Sequence, residues 1–291
     1  DLTIDDLKAY AKRVYDETYP EDAGLYDDDV KNRKNPLNRF VSYHLLNRVG
    51  QYNSWVPSGT IRERCLDTKL IDPEEYYETM CPGTIVRFAG PSAGLFINRR
   101  GVQNRPERGV FIPGVKVLSP SESGSTEQNA LNGVYHYLDD ILAYTEEVRD
   151  VVLNRRIRID ATVLSPDFMN CNGRGRYGED ILTGFKNDYI TDWKCSDETF
   201  VGVHSDVEYW WSYQANAVCI SGIFDVTFKL PPVPTGTYEI RLGYTPGEER
   251  GVVQVYLENE PCGIPIDLRV YGSDATIGSV ADTEDEEENM A

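Results

Sequence analysis

Asn132-Gly133-Val134-Tyr135-His136-Tyr137-Leu138-Asp139-Asp140-Ile141-Leu142 is the stretch on which the reading of this chain turns. An Asn-Gly pair is a strong turn signal, because both residues tolerate positive φ. Behind it Val134, His136 and Leu138 alternate with Tyr135 and Tyr137, the period of a strand with two usable faces. The run closes on Ile141-Leu142 and a charged segment follows, so a domain is expected to end here.

Upstream, the spacing predicts helices first and strands after them. Thr3 to Thr18 reads as a helix: Thr3 can cap it, Asp5 and Asp6 suit its first turn, and Leu7, Tyr10, Ala11 and Val14 recur at helical intervals. Glu21 to Asp29 reads as a solvated acidic loop, since the spacing of a helix-loop-helix calcium site is missing. Asn35-Pro36 starts a second helix whose apolar face is Leu37, Phe40, Val41, His44 and Leu45. Short strands are expected at Thr84–Phe88, Leu95–Asn98 and Val115–Leu118, separated by Gly and Pro. Helices followed by a sheet is an α+β order.

Downstream of Arg156 the pattern becomes all-β. Arg156–Ala161, Gly222–Leu230, Thr237–Tyr244 and Val252–Leu257 alternate or run at turn-spaced intervals, the signature of an antiparallel sandwich or jelly roll. Gly236, closing a proline-rich turn, is expected to take a positive φ. The domain boundary is expected between Glu146 and Arg156, giving domains at 1–146 and 156–275 and an acidic tail or loop at 276–291.

The 291 residues carry a net charge of −19, which excludes nucleic acid as a partner and an electrostatic grip on anionic lipid. No run of 18 apolar residues exists to span a membrane. Nineteen Tyr against nine Phe favour amphipathic aromatic surfaces. The six cysteines form no Cys-x-x-Cys pair and the three histidines lie far apart, so neither a zinc site nor another metal or cofactor is expected. Buried thiols and disulfides both remain open readings of those cysteines.

Two motifs carry a family resemblance. Asn-Gly-Val-x-His-x-Leu-Asp-x-Ile-Leu, from Asn132, is similar to the closing motif of fasciclin-like domains, and Phe40-Val41-Ser42-Tyr43-His44-Leu45-Leu46 resembles their Tyr-His motif. The opening strand typical of such domains is absent, and the chain is expected to be a segment of a longer mature protein. Phe224 to Asp267, with Leu-Pro-Pro-Val-Pro-x-Gly-Thr-Tyr-Glu-Ile-Arg-Leu-Gly-Tyr, resembles the second domain of fasciclin-containing surface lipoproteins of Bacteroidetes-type bacteria. The resemblance implies an α+β fasciclin-like domain followed by a β-sandwich. It also implies an accessory lipoprotein of the outer-membrane surface, held by a lipid anchor upstream of this sequence. Its partners would be a TonB-dependent transporter and SusD-like lipoprotein components.

No Gly-x-Ser-x-Gly elbow or phosphate-cradling Gly-Lys-Ser/Thr loop appears, and 48 acids single out no catalytic pair, so an enzyme is not expected. Tyr43 and His44 are candidate contacts through the Tyr-His motif; a core histidine bonded to backbone is the plainer reading of His44. Tyr209, Trp210 and Trp211 suggest a sugar-stacking platform, or a strand with one indole turned inward. Trp55, beside Asn53 and Ser54, offers either an exposed aromatic contact or a ring folded back onto the core. A glycan-binding module or adhesion protein acting alone is the alternative to the uptake subunit.

Overall fold

Two capped helices open the chain as their sequences dictate. The structure is a computed structural model and describes residues 3–56, 74–90, 93–101, 103–104, 109–124, 129–171, 173, 181–205, 216–272 and 274–276. Helix α1 spans Ile4–Thr18. At its start the Asp6 N–H donates to the Thr3 hydroxyl at 3.2 Å, and the Thr3 N–H donates to the Asp6 carboxylate at 2.9 Å. This reciprocal box satisfies donors that the first turn would otherwise leave unpaired. Helix α2 spans Pro36–Tyr43, with Asn35 Oδ1 accepting from the Leu37 and Asn38 N–H groups. The other end of the Asn35 amide donates to the Tyr26 and Asp27 carbonyls and so ties down the acidic loop. Lysines neutralise that loop's acids: Lys12 meets Asp27 at 2.6 Å and Lys34 meets Asp22 at 3.0 Å.

A four-stranded antiparallel meander follows, in the order β1 (Glu74–Glu78), β2 (Ile85–Ala89), β3 (Leu95–Ile97) and β4 (Val115–Val117). Strands β2 to β4 lie within a residue of the expected runs. One face of the sheet carries Tyr77, Val86, Phe88, Leu95, Ile97 and Val117 and packs against Tyr43, Trp55, Leu142, Val163 and Met169. Tyr76 and Ile85 belong to a second cluster, with Ile112, Val148, Val152 and Leu153. Enclosing each large apolar side chain contributes roughly 1.5–3 kcal/mol before entropy is counted.

The Asn132-Gly133 stretch joins this sheet, although its turn is displaced by one residue. Strands β5 (Asn129–Ala130) and β6 (Gly133–Val134) pair with Ala130 opposite Gly133, so the loop residues are Leu131 and Asn132. Neither Asn132 nor Gly133 has a positive φ. Beyond the hairpin the expected alternation holds: Val134, His136 and Leu138 are half-buried, while Tyr135 and Tyr137 are exposed. Leu118 N–H donates to the Tyr137 carbonyl at 2.8 Å and Asp139 N–H to the Lys116 carbonyl at 3.0 Å, which lays the run along β4.

The chain does not close a unit there. Val148–Val152 forms a π-helical turn whose Val148 and Val152 are buried, and Val163 and Met169 enter the first cluster beside Tyr43. The expected strand at Arg156–Ala161 is absent; Asp160 instead caps a 3-10 turn at Ala161–Val163. By packing, one unit runs from Asp1 to Gly236 and a second starts at Thr237, and the stretch between Glu146 and Arg156 lies within the first. The sheets themselves stay on their own sides of that expected boundary.

Later in the first unit, β7 (Ile181–Phe185) and β10 (Asn216–Ser221) flank β9 (Phe200–Ser205), and β8 (Trp193–Cys195) pairs with β11 (Val226–Phe228). Phe168, Ile190, Trp193, Val201 and Val203 form their core, with Trp193 stacked 4.9 Å from Phe228. Helices with antiparallel sheets make this an α+β chain.

Among its described residues, the second unit holds two-residue ribbons: β12 (Val252–Val253) with β15 (Ile266–Asp267), and β13 (Tyr256–Leu257) with β14 (Glu260–Pro261). Glu258 and Asn259 turn the latter at φ values of 51° and 72°, as a tight hairpin requires. The expected Val252–Leu257 strand is thus two short ones, and Thr237–Tyr244 joins no ladder. Gly236 is not among the residues with positive φ, so the conformational demand expected there does not arise.

Candidate interaction surface

Tyr43 is a core residue. Its ring meets Tyr144 edge-on at 5.4 Å, and its hydroxyl accepts from Asn98 Nδ2 at 2.9 Å and donates to the Ile85 carbonyl at 3.4 Å. Enclosure raises the phenol pKa. The expected surface contact at Tyr43 is therefore corrected: helix α2 turns that ring inward, while Val41 on the helix and Leu45 beyond its end are 47% and 52% exposed.

His44, the cap residue that ends α2, keeps an exposed edge. Its Nδ1 lies 2.8 Å from the Phe40 carbonyl, an acceptor, so that nitrogen carries the proton. The ring also packs 4.7 Å from Phe40. Protein atoms displacing water around the imidazole lower its pKa, and the Phe40 carbonyl opposes this. Of the Tyr-His pair, only the histidine reaches the surface.

Trp55 is folded back, 3% exposed, and stacked 4.9 Å from Phe88 with Tyr77 edge-on at 5.1 Å. It is a core anchor, and the exposed-contact reading is corrected. His136 Nε2 lies 3.3 Å from the indole Nε1 and 3.0 Å from the Gly50 carbonyl. One ring nitrogen cannot accept the indole proton and donate to a carbonyl at once, so the tautomer selects between the two. Loss of solvent lowers the His136 pKa, against the pull of the Gly50 carbonyl. Tyr209, Trp210 and Trp211 lie outside the described residues.

Sequence reasoning missed β1 and its ion pair. Glu74 and Arg87 are both buried, and Arg87 Nε donates to Glu74 Oε2 at 2.7 Å while Nη2 bonds the same oxygen. Tyr76 stands opposite Arg87 in the ladder. Glu75, 0% exposed, accepts from the Asp160 N–H at 3.3 Å. A charged strand can be internal only where such partners meet it.

Two surface features remain. An open depression of about 850 Å³ is lined by Lys186, Asn187, Lys194, Asp197, Glu198 and the exposed Phe200. Asn187 Nδ2 donates to the Ser196 and Thr199 carbonyls, which shapes its rim. The Phe200 ring also covers the backbone of Gly184 and Gly202 on neighbouring strands. The second feature is the second unit itself. From Thr237 onward no described apolar residue belongs to a buried cluster, and Tyr238, Ile240, Leu242, Tyr256, Leu257 and Ile264 are all exposed.

Among the described residues no group of His, Cys, Asp and Glu could hold a metal ion, and no helix is long and apolar enough to cross a membrane. Cys81 is a buried thiol, whereas Cys171 and Cys262 are exposed. Comparison with family models, curated proteins and solved structures finds no match.

Proposed function

We propose that this chain is a non-catalytic interaction subunit of an outer-membrane surface complex. In this reading a fasciclin-like first half and a sandwich-like second half, held by a lipid anchor upstream of Asp1, serve a TonB-dependent transporter and its SusD-like lipoprotein. The supporting observation is the second unit: it has strands and large apolar side chains, yet those side chains stand in water. Two-stranded ribbons without a core are marginal alone, and exposed apolar patches of this kind mark protein contacts. A partner burying Tyr256, Leu257 and Ile264 would supply the missing core, with aromatic anchors at the centre and acids at the rim.

The test is gentle detergent extraction of the native protein, followed by size-exclusion chromatography and mass spectrometry. A transporter or lipoprotein partner should co-elute reproducibly, and Tyr256→Ser with Leu257→Ser should release it. A chain that elutes alone would overturn the assignment. The depression at Phe200 favours a second reading, glycan binding, because an exposed aromatic ring lies beside amide and carboxylate groups. Phe200→Ala should then abolish oligosaccharide binding in calorimetry.

A further inference from the structure

At the edge of the second buried cluster, four side chains bring hydrogen-bond donors together in excess of acceptors. Tyr76 is fully buried, stands opposite Arg87 in the ladder of β1 with β2, and shares the cluster with Ile112 and Leu153. Arg100 forms a single antiparallel bridge with Ile112, and its Nη1 donates to the Val151 carbonyl. Arg155, two residues beyond Leu153, donates its backbone N–H to the Leu153 carbonyl at 3.0 Å. Burial raises the Tyr76 pKa and Glu74 adds to this, while Arg87 and Arg155 pull it down, so both guanidiniums act on the hydroxyl. Loss of solvent lowers the Arg100 pKa, and the charges of Arg155 and Arg87 lower it further. Three like charges therefore share one small region. Glu74 neutralises Arg87, but among the described residues Arg100 and Arg155 meet no carboxylate. The Tyr76 hydroxyl proton and the Arg155 Nε–H are both buried and find no acceptor.

We propose that Tyr76, Arg100 and Arg155 form a binding site for a compact tetrahedral oxyanion, phosphate or sulfate. Such a group presents acceptors on every side, and guanidiniums engage it through paired N–H bonds. It takes up the Tyr76 proton and the Arg155 Nε–H, the two donors whose burial is otherwise uncompensated. Arg100 and Arg155 are only half-buried and open the site to solvent, while the buried hydroxyl closes its inner end. Charge also limits the size of the ligand. At −19 overall the chain repels an extended polyanion, whereas one doubly charged group is matched by the two guanidiniums that lack a carboxylate. The site lies in the first unit and is independent of the partner contact proposed for the second.

Isothermal titration calorimetry of the full chain with phosphate and with sulfate, at ionic strength held constant with chloride, tests this. One saturable site with a Kd below about 1 mM is expected. Arg100→Gln with Arg155→Gln should abolish it. Tyr76→Phe is the sharper variant. Removing a buried O–H that has no acceptor should leave stability in urea equal or higher, yet weaken the anion about tenfold. Three results overturn the proposal: no saturable heat in the wild type up to about 10 mM anion, wild-type binding by Tyr76→Phe, or loss of stability and binding together in that variant. Glucose 6-phosphate titrated beside inorganic phosphate separates two sources of the same chemistry. Tighter binding of the ester assigns the site to the charged group of a larger ligand, and tighter binding of the free ion assigns it to an inorganic one.

Discussion

At the scale of the residue, aromatic and charged side chains with the look of surface groups turn out to hold the interior. Trp55→Ala removes a ring stacked on Phe88 and should cost roughly 3–5 kcal/mol in urea unfolding. Arg87→Ala leaves Glu74 enclosed without its guanidinium and should cost a similar roughly 3–5 kcal/mol. Replacing both, Arg87→Met with Glu74→Leu, should recover most of that loss, because the desolvation penalty disappears with the pair. His136 makes a pH prediction. Its folded pKa lies below the ordinary histidine value of 6.5, so the folded state favours the neutral ring. That contribution is complete above about pH 6.5 and is lost as pH falls through the lowered folded pKa. His136→Gln should therefore lose less stability than wild type between about pH 7.5 and about pH 5, read from urea midpoints. An equal loss in both proteins would mean the ring plays no part. The exposed candidates were legible only in part. Tyr43-His44 could be placed on a helix, but which of two adjacent residues turned inward depended on where α2 stopped.

Elements whose local chemistry is self-sufficient were readable. Helices α1 and α2 carry their caps in sequence, and β2, β3 and β4 are apolar runs bounded by Gly and Pro. Strand β1 was not readable, because Glu74-Glu75-Tyr76-Tyr77-Glu78 becomes internal only through partners at Arg87 and Asp160, distant in sequence. Thr237–Tyr244 shows the converse: period-two alternation specifies which side chains share a face but is silent about whether a neighbouring strand exists. The link between β3 and β4 depends on Gly114, at φ +67°, where a Cβ would lie 2.4 Å from the Ile97 carbonyl oxygen and 2.5 Å from the Arg99 nitrogen. Gly114→Ala should lose roughly 1–3 kcal/mol, since both obstacles are backbone and cannot rotate away. A variant with an unchanged thermal midpoint would show that the turn can be rebuilt.

For the whole molecule, the division by packing falls after Gly236, whereas the change in composition comes near Arg156. The shift to β-type sequence after Arg156 is real, yet Val163 and Met169 complete a core begun by α2 and β1 to β4. Among the described residues, the three buried clusters lie before Thr237. A chain truncated after Gly236 should therefore still unfold cooperatively on heating, followed by circular dichroism. One truncated after Glu146 should not, because it lacks Val148, Val152, Val163 and Met169. Cooperative melting of that shorter chain would reinstate the boundary read from sequence.

The reach of that first core also sets a timetable for synthesis. Val49 N–H bonds to Asn170 Oδ1 across 121 residues, and Arg48 to the Val163 carbonyl across 115. A ribosome adding roughly 5–20 residues per second needs roughly 6–24 s to make the second partner after the first. Throughout that interval Arg48 and Val49, just past α2, lack these partners, and the first core lacks Val163 and Met169. The nascent chain is thus a client for holding factors long before its last strands exist.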